Sequence, residues 1–148
     1  MRLLTVLALA FSVTAFAGEF ESKRISFSPS THTGGGTVSY YNCDSVEDMA
    51  ESHLEDLGAM NVNVRCTGGI SNGWNSPAHL SGTFDAPVVV ASDKVEILVL
   101  RGNDSCSLNS EFLDMVLPMF SGVTIMSRRA SCWGGRMDSW KYTLSVAK

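Results

Sequence analysis

Gly69-Ile70-Ser71-Asn72-Gly73 matches G-x-S-x-G, the pattern that holds a nucleophilic serine on a strained turn between a strand and a helix. His79 and Asp85 follow closely and are the types that would activate and orient such a serine for acyl transfer. The intervening "WNSPAH", however, is a run of turn formers that no helix could use, so a Gly/Ser-rich loop is the simpler reading of the segment. A small extracellular serine hydrolase using Ser71, His79 and Asp85 therefore stands as the alternative to a non-catalytic protein.

The other chemistry-bearing residues are sparser. His32, His53 and His79 fall at no metal-ligand spacing, and His53, among Glu51, Glu55 and Asp56, reads as part of a solvated ion pair. The four cysteines form no C-x-x-C pair, which disfavours zinc ribbons and thioredoxin-type redox chemistry. Glu47, Asp48, Glu51, Glu55 and Asp56 would line one helix face, and an exposed helical stripe diverges rather than converging on a calcium ion. No metal and no cofactor are expected. Arg128, Arg129, Trp133, Arg136, Trp140, Lys141 and Tyr142 mix charge with aromatic surface near the C-terminus. A pI near 5.2 lacks the basic excess of nucleic-acid binders, so nucleic acid is not the expected partner. Trp133 and Arg136, placed in a turn, are the residues least explained by packing, and Trp74 is similarly conspicuous in the earlier Gly-rich turn. Asn103-Asp104-Ser105 is a glycosylation sequon, meaningful only in a eukaryotic secretory route.

The elements that must position these residues are punctuated by one phrase written twice: "CTGG" from Cys66 and "CWGG" from Cys132. Strand signals in "TVSYYNC" end at Cys43, and Ser45 with Asp48 is placed to cap a helix. In that helix Val46, Met49, Ala50, Leu54 and Leu57 recur at helical spacing, and Gly58 stops it. "AMNVNVRC" alternates Met60, Val62 and Val64 against Asn61, Asn63 and Arg65, a strand with one buried face. "LSGTFDAPVVVA" gives another strand, and "RISFS" upstream adds an edge strand.

The second half repeats the order. "VEILVLRG" is the most apolar strand and is expected to be central. A helix from near Asn109 buries Phe112, Leu113, Val116 and Leu117 and ends or distorts at Pro118. "VTIMSRRASC" and "DSWKYTLSVAK" are the last strands, the latter with Trp140, Tyr142, Leu144 and Val146 on one face.

The fold class is thus α+β: two β-α-β-β repeats, about 37–91 and 95–148, forming a mostly antiparallel, roughly ferredoxin-like sheet with two helices on one face. Strands flanking one helix run the same way in such a unit, which brings the cysteines of one copy to one edge. That favours Cys43–Cys66 and Cys106–Cys132.

The first 17 residues carry Arg2, an apolar run and Ala15-Phe16-Ala17, the three parts of a secretory signal peptide. Removal leaves residues 18–148, a single domain with no transmembrane segment. Its charge is polarised. Residues 18–98 hold 11 acidic and 4 basic side chains, residues 99–148 hold 4 and 6.

The expectation is a small periplasmic or secreted, disulfide-stabilised binding module without catalytic activity, working through the loops after Cys66 and Cys132. Its binding residues would be Trp74, Trp133, Arg136, Arg128 and Arg129, and its partner a protein or envelope component. A self-associating envelope structural protein is a further alternative.

Overall fold

A computed structural model describes residues 19–33, 37–88, 95–100, 106–120, 123–133 and 136–146. Residues 32, 33, 37, 95–100, 123–133 and 136–146 are described by backbone course alone. In chain order the strands are β1 (Phe20–Phe27), β2 (His32–Thr33), β3 (Thr37–Val38), β4 (Met60–Thr67), β5 (Ile70–Ser71), β6 (Trp74–Asn75), β7 (His79–Pro87), β8 (Val95–Leu100), β9 (Val123–Trp133) and β10 (Arg136–Val146). Helix α1 (Cys43–Asp56) precedes β4, and α2 (Cys106–Val116) precedes β9.

The fold is α+β with antiparallel pairing. One sheet has the order β1-β7-β4 and another β8-β10-β9, with two-stranded ribbons β2-β3 and β5-β6 beside them. Each larger sheet places its last strand in the middle, so β10 and not β8 is central in the second. High apolar content alone does not order strands, because an edge strand covered on its face by other elements is equally apolar.

The first sheet shows why one face is buried. Ile25 pairs with Gly82 and Phe27 with Leu80, while Val64 faces Gly82 and Cys66 faces Leu80 from the other side. Since neighbouring residues in register share a face, these positions line one surface. Their buried members, with Phe84 and Ala86, form a single core with both helices. From α1 come Val46, Met49, Ala50 and Leu54, and from α2 Leu108, Phe112, Leu113 and Val116. Phe27 of β1 meets Phe112 of α2 edge-on at 5.4 Å, which puts α2 on that face. The Cys43–Cys66 bridge puts α1 there as well. The opposite face carries Ser22, Arg24, Ser26, Ser81, Thr83 and Arg65 and stays in water.

Several local expectations change. The segment before α1 is not a strand up to Cys43: only Thr37–Val38 pairs, with His32–Thr33. The longer strand that precedes α1 is instead β1, and Cys43 opens the helix. The cap is Asn42, whose side-chain oxygen accepts from Asp44 N at 2.8 Å, so the helix starts ahead of Ser45. α2 likewise starts earlier than Asn109, at Cys106, and Pro118 falls in a 3-10 turn after it. Met60, expected inside, is 53% exposed. Asn61 takes φ 52° and the β4–β7 register slips between Met60 and Asn63, which turns that strand end outward.

The largest correction is His53. Far from lying in a solvated ion pair, it is 2% exposed, with its Nε2 2.5 Å from Asn109 Oδ1 across the two helices. Its ring stacks on Phe112 at 6.2 Å. A buried imidazole needs a polar partner, and a residue on the second helix supplies one that local sequence does not display.

Candidate functional site

The connection from β4 to β7 is where the chain spends residues that the core does not use. Thr67 pairs with His79, leaving 11 residues between them (68–78), whereas Trp133 pairs with Arg136 across 2 residues (134–135) between β9 and β10. The longer connection carries the β5–β6 hairpin, with Ile70 opposite Asn75 and Ser71 opposite Trp74. Asn72 at φ 41° and Gly73 at φ 85° make its two-residue turn. Positive φ at both central positions fits the twist of a tight hairpin, and Asn-Gly is its usual sequence. The Asn72-Gly73 signal was readable from sequence, but it lay within a segment otherwise dominated by loop formers.

The base of this hairpin is held firmly. Cys66, one residue from the end of β4, bridges to Cys43 at the start of α1 with Cα atoms 5.3 Å apart. Gly69 is buried, has φ 76°, and offers no room for a Cβ, which would stand 2.6 Å from Tyr41 O and 3.2 Å from Cys43 N. Gly68, at φ 79°, likewise lies against the Pro77 carbonyl. Ile70 N donates to Tyr41 O at 3.0 Å and Ser76 N to Gly69 O at 3.1 Å. The two glycines after Cys66 are therefore required by backbone approach as well as by turn geometry. Glu47, expected on the solvated face of α1, is half-buried, accepting from Cys66 N at 2.5 Å with Arg65 3.8 Å away.

On this clamped base the hairpin presents Trp74 at 83% exposure and Ile70 at 46%. Every residue from Ile70 to Pro77 is exposed. None from Thr67 to Ala78 carries a charge. Around the clamp Asp44 and Asp48 are exposed in the first turns of α1, and Arg65 is exposed beside Cys66.

The serine-hydrolase residues are not gathered into a triad. Ser71 is exposed on β5. The Nδ1 of His79 lies 2.8 Å from the hydroxyl of a different serine, Ser28, at an exposed strand end. Asp85 is six residues further along the same strand, about 20 Å at the usual rise, and accepts from Asn61 Nδ2 at 2.7 Å. Asp85 thus cannot orient His79. Among the described residues no three His, Cys, Asp or Glu side chains converge on a metal position.

Trp133, Arg136, Arg128 and Arg129 lie on β9 and β10, with Trp133 paired to Arg136 and Arg129 to Lys141 in backbone register; their side chains fall outside the described residues. Cys106, like Cys43 and Cys66, is disulfide-bonded, and the side chain of its expected partner Cys132 also falls outside them. Asn103 falls outside the description altogether. The Cys43–Cys66 bridge suits an oxidising, exported location. No described helix is long and apolar enough to cross a membrane. No protein-family model, no curated protein and no solved structure matches the chain.

Proposed function

We propose that this chain is a small exported binding module that acts through the hairpin following Cys66. Supporting this reading above all is Trp74, a large apolar side chain held 83% exposed on a hairpin whose base is fixed by a disulfide, a buried glycine and two backbone hydrogen bonds. Exposing an indole serves nothing in folding, and tryptophan is the type most enriched at binding hot spots. A rigid base lowers the ordering cost of association. Residues 1–17 act as the export signal in this reading. The shared order helix, strand, strand with the central strand last supports reading the two halves as copies of one unit, in which Cys106 pairs with Cys132 as Cys43 does with Cys66. The partner is a protein or another component of the cell envelope.

Crosslinking with the oxidised protein as bait, in extract of its native compartment, tests the proposal. A stoichiometric partner captured by the wild type and lost with Trp74→Ala supports it. A partner captured equally by both removes the hairpin as the site.

A further inference from the structure

The chemistry of the hairpin narrows the partner, provided that the hairpin is the binding surface proposed for it. Four features act together. The indole of Trp74 offers a flat apolar face with negative quadrupolar character. Ser71 is directly opposite it in register, so its hydroxyl leaves from the same face of the ribbon. Asn72 adds an exposed amide at the turn, whereas Asn75 alternates to the other face opposite Ile70. Charge is absent from the whole connection, Thr67 to Ala78.

A ligand matched to this surface has an apolar C–H face to lie on the ring, a rim of neutral hydroxyls for the serine and amide, and no charge. We infer that the Trp74 hairpin binds a neutral polysaccharide, one sugar ring stacking on the indole while Ser71 and Asn72 exchange hydrogen bonds with its hydroxyls. A large rigid aromatic beside adaptable Ser and Asn hydrogen bonding is also the composition that serves recognition loops generally.

Two observations set the polysaccharide ahead of the other occupants. A stable protein interface uses about 20–30 residues a side, whereas the hairpin is six residues, Ile70 to Asn75. An anionic lipid surface or a polyanion would be drawn by basic residues, yet the connection itself carries none, and the cation beside its base, Arg65, lies 3.8 Å from the Glu47 carboxylate, with Asp44 and Asp48 exposed in the first turns of α1.

The test is affinity electrophoresis of the oxidised full-length secreted protein through gels containing soluble neutral glucans, xylan, galactomannan or glycol chitin, comparing wild type with Trp74→Ala, Trp74→Phe and Ser71→Ala. Retardation by at least one polysaccharide is expected, weakened about tenfold by Trp74→Ala, less by Trp74→Phe, and little changed by added salt. Because Trp74 lies outside the core, its variants keep the fold, which unchanged far-UV circular dichroism verifies.

Retardation unaffected by Trp74→Ala, or none in any gel, overturns the polysaccharide inference. If, in the latter case, the wild type captures a protein that Trp74→Ala loses, binding through the hairpin stands and its occupant is a protein. A captured partner indifferent to Trp74→Ala overturns the binding reading itself.

Discussion

Gly69 and Gly73 form a matched pair that separates two reasons for glycine. Both adopt left-handed φ, 76° and 85°, so alanine at either position suffers about 1–2 kcal/mol of backbone strain. Reduced freedom of the unfolded chain returns about 0.4–1 kcal/mol of that in both cases. Space is what differs. At Gly73 nothing lies within 4 Å of an added Cβ, whereas at Gly69 the methyl meets Tyr41 O at 2.6 Å and Cys43 N at 3.2 Å. Neither atom is the tip of a mobile side chain: Tyr41 O accepts from Ile70 N, and Cys43 is tied into the disulfide and the helix start. Displacing packed structure of that kind costs about 1–3 kcal/mol. Gly69→Ala should therefore lose about 1–3 kcal/mol more than Gly73→Ala. In urea titrations followed by circular dichroism, with a slope of about 1.5 kcal/mol/M, the two midpoints should differ by about 1 M. Repeating the pair after reduction should shrink the gap, since freeing Cys43 lets the helix start move away. Equal midpoints in the oxidised protein would refute the close-approach account of the Cys-x-Gly-Gly phrase.

The remaining expectations concern the same anchors and the core. Replacing Cys43 and Cys66 together by alanine opens a loop of sequence separation 23, which the chain-entropy relation values at about 3.4 kcal/mol, to be read as a lower urea midpoint. His53→Leu should cost about 1–3 kcal/mol because the buried Asn109 carbonyl loses a bond, and adding Asn109→Leu should recover part of it; strict additivity in the four-way cycle would contradict the pairing. Trp74→Ala should change stability by less than about 0.5 kcal/mol in the same titration, since 83% of the residue is already in water. Non-reducing peptide mapping should recover Cys43–Cys66 and Cys106–Cys132 peptides; a Cys43–Cys132 or Cys66–Cys106 species would overturn the pairing.

Legibility in the sequence tracks the range of the interactions involved. The apolar stripe of α1, its stop at Gly58, the break at Pro118 and the edge strand around Ile25 depend on period and on backbone chemistry within a turn or two, so the order of residues displays them. The Cys43–Cys66 bridge was reached from spacing and the duplicated phrase, although Cys43 proved to begin a helix and not to end a strand. A disulfide constrains where its two ends meet, not the element each end belongs to.

Three features were decided only in three dimensions. His53 looks like one more member of an acidic, solvated helix face until α2, 56 residues away, brings Asn109 and Phe112 over it. Among the described residues the longer strands pair in two three-stranded sheets rather than one, and which strands pair, such as β1 with β7, is settled between segments far apart in sequence. Ser71 and Trp74 are separated by only two residues and so tell nothing of burial by themselves; the clamped base at Gly69 carries their hairpin away from the core. Local sequence encodes backbone preference and face, whereas burial is a property of everything else that packs nearby, and only the assembled chain sets it.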